Sequence, residues 1–428
     1  MAKYRVVVTG RGIVSPLGID VKAHRENLFA GESVLGKGKR LSSLGFYSTY
    51  GGEVSEAELK IASGVVPPKQ RKFMNRSAIM AAVASSHAAE EAGLKGAGIS
   101  PERLGIFLGT WFTFYPDLPF FIRYLQNSES TTRPHEMDSE IANLSCLKTM
   151  NPVDYSIKVL PNLTAAHLAI LHDVQGASRV IADGWRGGLL AIAQAAHAIG
   201  NGELDIALAG GSESPLEGGI FCELSVLGNM VHDGNDLEGV CCPFDSRRRG
   251  IVLGEGAGVV VLEEREHALA RQAKVYGEIT GSGSSAPSPV RSEDALALSM
   301  RNALGESGVE PEEIDFIHAN GDSTPTNDHA ECRAVKDIFG PSGRTVPVTA
   351  TKSLHGHLLS GAGGVELVSS LMMLEQGMIA PIANCKNPDP ECELDLVRDS
   401  HREKPGMEMA LINAFGLFGE GASLVVRR

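Results

Sequence analysis

Two kinds of block take turns along the chain. Short β-branched or apolar runs closed by glycine, such as Tyr4 to Thr9, Leu104 to Gly109, Val180 to Ala182 and Asp205 to Glu213, read as buried strands. Longer Ala-rich runs between them, Lys72 to Glu91, Pro161 through Leu171 and Gly187 to Ile199, read as helices. Strands alternating with helices predict an α/β architecture. A Gly-rich turn and strand follow at Gly250 to Glu263, and from Val275 the pattern begins again. It runs through a strand, a helix over Ser292 to Glu306, a strand at Ile314 to His318, a helix, a strand at Val346 to Val348 and a helix over Gly361 to Glu375. Strands near Met409 to Asn413 and Ala422 to Val426 close it. This repeated order predicts an internal duplication, with halves at residues 1–250 and 251–428.

The pattern is tightest around residues 180 to 190, Val-Ile-Ala-Asp-Gly-Trp-Arg-Gly-Gly-Leu-Leu. A strand ends, a tight turn spans Asp183 to Arg186, and a helix opens at Gly187 or Gly188. That geometry commonly lifts a nucleophile to the mouth of a helix, where free backbone N–H groups stabilise an anion. Trp185 holds the apex, and an indole is no nucleophile. A second concentration lies at Thr110 to Tyr124, where Trp111, Phe112, Phe114 and Tyr115 lead an aromatic-rich run in a chain that is only 5 % aromatic. Such a wall is a packed core, an oligomer interface or the lining of an apolar tunnel. A polar stretch from Gln126 to Ser156 is expected as a loop-rich insertion over the active side.

Composition narrows the function classes. Hydrophobic residues make up 43 % and charged residues 21 %, as in a soluble globular protein. A net charge of -13 offers no footprint for nucleic acid, and the one basic run, Arg247 to Arg249, is expected as a solvated turn. The seven cysteines have neither CxxC spacing nor an even count, which predicts no disulfide framework, no zinc site and a reducing cytoplasm. No apolar run is long enough for a signal peptide or a membrane span. Gly31 to Gly38 imitates a phosphate-binding loop but puts Gly38 where Ser or Thr must stand. The glycines of Gly250 to Gly258 precede their strand, which excludes a dinucleotide fingerprint.

Four segments in order resemble the β-ketoacyl synthases of fatty-acid and polyketide assembly. They are Val6 to Gly18, Cys-Pro-Phe-Asp-Ser-Arg-Arg (Cys242 to Arg248) with Gly-Glu-Gly-Ala-Gly after it, Thr-Lys-Ser-Leu-His-Gly-His (Thr351 to His357) with Gly-Ala-Gly-Gly after it, and Asn-Ala-Phe-Gly (Asn413 to Gly416). The resemblance implies a thiolase-like, five-layered α-β-α-β-α fold of two similar halves, working as a dimer without cofactor or metal. In active members a Cys on the elbow carries the acyl chain, because a thiolate both attacks and leaves. Two histidines donate N–H groups to the thioester and enolate oxygens.

Matched by position, the Cys site is Trp185 and the first His site is Asn320, in His318-Ala319-Asn320-Gly321-Asp322. His318 lies two residues upstream, about 7 Å along a strand, too far to stand in without remodelling. His357 and Lys352 match the remaining His and the Lys. The resemblance therefore implies no catalytic residue set of its own. It points to a ketosynthase β subunit or chain-length factor of a type II polyketide synthase, paired with a Cys-bearing α subunit. The acyl carrier protein would dock mainly on that partner, and the acyl tunnel would be shaped in part by Trp111, Phe112, Thr113, Phe114, Tyr115 and the gating match Phe415. Well-known members carry Gln at the Cys site, and its absence here points toward a reducing pathway. The alternative is an altered enzyme, a malonyl-carrier-protein decarboxylase or acyltransferase using His357 and Asn320. Trp185 is either an active plug of the subunit's own acyl pocket or passive filler.

Overall fold

A computed structural model describes residues 3–42, 50–96, 98–111, 130, 136, 138–142, 157–216, 218–227, 229–231, 240–286 and 292–428. The insertion expected over Gln126 to Ser156 falls almost wholly outside these residues, and Phe112, Thr113, Phe114 and Tyr115 lie outside them as well.

The first half supplies strands β1 (Val6–Val14), β2 (Leu104–Gly109), β3 (Ser178–Ile181), β4 (Ile206–Glu213) and β5 (Gly256–Glu264). The second supplies β6 (Gly277–Ser285), β7 (Phe316–His318), β8 (Pro347–Thr349), β9 (Met409–Phe415) and β10 (Gly421–Arg427). In space the first five run β1-β5-β4-β2-β3 and the second five run β6-β10-β9-β7-β8, with the two-residue strand Asp395–Leu396 on the outer edge. Both sets therefore have the order 1-5-4-2-3. In both, the fifth strand is antiparallel to its neighbours and the 4-2-3 strands are parallel. Even the irregularity repeats: the register slips between the first and fifth strands in each half, at Val8/Gly10 and at Val425/Val426. Val6 to Val8 of β1 also pair with β6, which joins the two sets edge to edge. On this strand order we propose that the halves divide between Glu264 and Gly277, beyond the boundary near residue 250 that motif order suggested.

Helices α1 (Arg76–Glu91) and α2 (Pro161–His172) cover one face of the first sheet. Helix α3 (Gly187–Gly200) and, from the second half, α7 (Ala362–Gln376) lie between the sheets. Helices α5 (Ser292–Ser307) and α6 (Pro325–Phe339) cover the outer face of the second, and α4 (Gly218–Val226) lies near the elbow. These are the five layers. A helix between two sheets has no wet face, and every residue from Ala362 to Leu374 is buried.

Two boundaries differ from the sequence pattern for identifiable reasons. The first strand does not stop at Gly10 but runs to Val14, because Gly10 and Gly12 let α1 lie directly on it: a Cβ would stand 2.2 Å from Ala88 O and 1.8 Å from Ala84 O. The helix expected from Lys72 begins at Arg76, where the Asn75 side chain accepts a hydrogen bond from Ala78 N.

The layers meet at equally bare contacts. A Cβ on Gly258 of β5 would lie 2.2 Å from the backbone of Gly364 and Val365 in α7. Gly258→Ala should cost roughly 1–3 kcal/mol of stability in urea unfolding, since backbone cannot yield as a flexible side chain can. Gly305→Ala, in α5 with open space at its Cβ, should instead be neutral or stabilising by up to about 1 kcal/mol.

Candidate functional site

The turn at the centre of the sequence pattern is an elbow in the structure. Strand β3 ends at Ile181, Gly184 takes a left-handed φ of 52°, a conformation that suits glycine, and a single 3-10 turn over Gly184–Arg186 leads into α3. Arg186 locks it from outside. Its Nε donates to Asp183 Oδ1 at 2.7 Å, and its Nη1 donates to the carbonyls of Ser285 and Gly421 at 2.7 and 2.8 Å. The matching turn of the second half, Leu359–Gly361 before α7, sits against it: Ser360 Oγ donates to Gly184 O at 2.5 Å.

Trp185 is 1 % exposed and belongs to an apolar cluster with Leu216, Ile220, Phe221, Leu224 and Leu253, against which Trp111 packs. Its ring meets His357 edge to face, with centroids 4.6 Å apart and planes at 62°. Burying an indole contributes up to about 4–6 kcal/mol, from roughly 150–250 Å² at about 25 cal/mol/Å². That exceeds the roughly 1–3 kcal/mol cost of its unpaired Nε1–H.

His357 is held by backbone on both sides, its N–H donating to Val252 O at 2.7 Å and its carbonyl accepting from Gly254 N at 2.9 Å. The Leu359 N–H donates to its Nδ1 at 3.0 Å, which puts the ring proton on Nε2, and Nε2 has no partner. Burial, with Lys352 and His355 adding to it, holds the imidazole well below its usual pKa. It is a neutral N–H donor.

Lys352 and Asn320 meet beside it. Lys352 Nζ donates to Asn320 O at 2.7 Å, to Asn320 Oδ1 at 3.2 Å and to Glu366 Oε1 at 2.5 Å, with both charges buried. Asn320 Oδ1 also accepts the Phe415 N–H at 3.1 Å, and its Nδ2 donates to Asp322 at 3.3 Å. The Asn320 amide thus ties three segments, its Oδ1 engaged by Lys352 and Phe415 and one of its two Nδ2 N–H groups by Asp322. Glu331 of α6 completes the loop by accepting the N–H groups of Asn320 and Gly321, each at 2.9 Å. Burial raises the carboxyls of Glu331 and Glu366 despite the partly compensating hydrogen bonds and Lys352.

His318 does not substitute for Asn320. Its Nδ1 bonds Ser370 Oγ at 2.8 Å and its Nε2 bonds Thr351 Oγ1 at 2.9 Å, inside the core. Nor do Cys241 and Cys392 supply a displaced thiol. The Cys241 Sγ–H points to Lys352 O at 3.5 Å and burial raises its pKa, while Cys392, whose thiol is held below the usual value by a bond from Cys332, sits in the second-half core.

The structure thus gathers Trp185, His357, Lys352, Asn320 and Trp111 around the elbow. It does not bring the Phe415 ring there: the ring packs in the second-half core with residues such as Phe244, and only its backbone reaches Asn320. The basic run is solvated only in part, with Arg249 exposed and Arg247 partly so. Arg248 is 6 % exposed, bonding Asp389 at 2.6 Å beside Asp328, and Arg247 bonds Asp245. Three residues that fix the site escaped the sequence reading: Arg186, Glu331 and Glu366. An acid inside the apolar run of α7 was the available signal for Glu366.

Residues 3–268 match the family described as Beta-ketoacyl synthase, N-terminal domain, and residues 273–386 match Beta-ketoacyl synthase, C-terminal domain. The chain belongs to the β-ketoacyl synthase family. It is 30 % identical to a 3-oxoacyl-[acyl-carrier-protein] synthase 2 of Synechocystis sp., over 100 % of this chain and 99 % of that protein. It is also 30 % identical to nodulation protein E of Rhizobium leguminosarum bv. trifolii, over 99 % of each. Among solved structures, the ishigamide ketosynthase/chain length factor superposes with a TM-score of 0.83 at 28 % identity, covering 100 % of this chain and 99 % of that one. A type II PKS acyl-carrier protein in complex with its ketosynthase bound to the hexaketide gives 0.81 at 27 %, covering 99 % of each. The fold is therefore the thiolase-like one of ketosynthases, and a ketosynthase-like role follows from the family. No helix among the described residues is long and apolar enough to cross a membrane.

Behind its elbow this β-ketoacyl synthase homologue buries a cluster of neutral histidines. Burial pushes His24 down to about 3, with His355 adding to it, and His355 itself to about 3. An imidazole depressed in the folded state contributes stability that is present above the unfolded value near 6.5 and lost as pH falls toward the folded value. His24 bonds only Ser15 and Ser369, so it can be tested singly. The stability difference between the native chain and His24→Gln should shrink by about 1.4 kcal/mol per pH unit from pH 6 to pH 4. A difference that stays constant over that range in urea titrations would refute the buried neutral state.

Proposed function

We propose that this chain is a non-condensing ketosynthase-like subunit, a chain-length factor. It pairs with a Cys-bearing ketosynthase and shapes the acyl tunnel that sets polyketide chain length. The observation that carries the reading is Trp185 at the apex of an intact elbow, where acyl transfer needs a thiolate, packed against His357. An indole nitrogen has its lone pair in the ring and cannot form a thioester, so no acyl-enzyme arises there. The second position agrees: Asn320 stands where the family motif has His, and its Oδ1 ties Lys352 and Phe415 together. The elbow and the loop around these positions are nevertheless closely hydrogen-bonded, which suits a subunit whose role is its shape. The likeness to a ketosynthase/chain length factor structure supports the same reading.

The acyl carrier protein would dock mainly on the partner, since a chain of net charge -13 repels an acidic carrier. Trp111, packed on the Trp185 cluster, leads the aromatic run through Phe112, Thr113, Phe114 and Tyr115 that we assign to the tunnel. Phe415 is left out of that lining because of where its ring packs.

The chain should co-purify with a Cys-bearing ketosynthase and should gain no mass when incubated alone with acylated carrier protein. Covalent acylation of the isolated chain would overturn the proposal. Carbon dioxide release from malonyl-carrier protein by the chain alone, abolished in His357→Ala, would move the assignment to a decarboxylase. In the assembled complex, Trp111→Ala, Phe112→Ala, Phe114→Ala or Tyr115→Ala should lengthen the product, read by mass spectrometry. No change for any of the four would remove the tunnel assignment.

A further inference from the structure

The elbow has a property that a simple plug lacks. Two buried N–H donors, Trp185 Nε1 and His357 Nε2, have no acceptor among the described residues, although the two residues are only 1 % and 2 % exposed and their rings are in contact. Buried polar groups are nearly always paired, and each unmade bond is a standing cost. A phenylalanine would fill the same apolar cluster without that cost. Among the described residues, three acceptors at the elbow are committed elsewhere: Asn320 Oδ1 to Lys352 and Phe415, Gly184 O to Ser360, and His357 Nδ1 to Leu359.

The character of the missing acceptor can be read from its surroundings. The one buried cation at the site, Lys352, is neutralised by Glu366, and Asp322, Asp328 and Glu331 are buried close by. An anionic ligand would meet no uncompensated positive charge and a surplus of carboxyls. The rest of the wall is apolar, with Ile220, Phe221, Leu224, Leu253 and Leu359. A neutral carbonyl flanked by hydrocarbon satisfies both conditions.

We infer that Trp185 is a ligand-binding residue whose indole N–H, beside that of His357, holds the carbonyl oxygen of an acyl thioester without attacking it. The inference rests on the chain-length-factor reading and names the ligand group its elbow receives. It makes Trp185 a device for registering where an acyl chain ends.

The test uses the full chain labelled with 15N at tryptophan. Its indole spectrum has two N–H signals, one for each tryptophan, and the one lost in Trp185→Phe belongs to Trp185. S-octanoyl-pantetheine should move that signal downfield and bind roughly 3- to 10-fold tighter than the thioether S-octyl-pantetheine, which lacks only the acyl carbonyl. Trp185→Phe keeps an aromatic ring without the N–H and should narrow that difference, leaving only the share held by His357. Equal binding of the two ligands to the native chain, or a Trp185 signal unmoved by the thioester, overturns the inference even if the chain pairs with a ketosynthase. Intact-mass measurement on the same samples reports separately on the subunit reading, which fails if an acyl group becomes covalently attached.

Discussion

The structure depends on one constraint, the approach of backbone to backbone where the two halves meet. Gly188 lies so close to Ser360 that a Cβ would stand 2.2 Å from its carbonyl oxygen, Gly363 is equally tight against Leu189, and Gly364 against Gly258. Because one partner at each of these crossings is a glycine, the two sheets and the helices between them close into five layers. The same contacts set the two elbows against each other, so the position of Trp185 is a consequence of the packing of the whole molecule. A side chain at any of these glycines would separate layers rather than perturb one residue.

On that frame the polar groups divide into those that hold shape and those left over. Lys352, Glu366, Asn320, Glu331 and Asn413 form one buried, largely satisfied network that ties β7, β9, α6 and α7 together. Breaking a buried ion pair by deleting one partner is expensive, so the Lys352–Glu366 pair holds this network in place whatever stands at the elbow. Left over among the described residues are the N–H groups of Trp185 and His357, with Thr110 Oγ1 and Glu366 Oε2. On the function proposed above, an elbow with an indole at its apex and two such donors binds a carbonyl without transferring it.

Much of this was legible in the chain itself. The duplicated order of strands and helices followed from apolar periodicity, and the structure repeats it down to the strand order 1-5-4-2-3. The elbow was legible because Gly184, Gly187 and Gly188 mark a turn and a close approach. Other features were not. Arg248 belongs to a charged run that looks solvated, yet it reaches Asp389 and Asp328 from elsewhere in the chain. Phe415 stands next to the site in sequence motif but turns its ring into the second-half core, because on a strand the direction of a side chain follows register rather than neighbourhood.

The sequence by itself determined the fold class, the family and which residues, Trp185 and Asn320, stand at two positions of the family motifs. These rest on local patterns and on residue identity, and no folding is needed to see that Trp185 is not a cysteine. Only the tertiary structure decided what the replacements do. That Asn320 spends its amide on Lys352 and Phe415, that His318 faces Ser370 and Thr351, and that Trp185 meets His357 with both donors unpaired are facts of distance between residues far apart in the chain. A hydrogen bond is made or lost within a few tenths of an ångström, and that precision comes from packing.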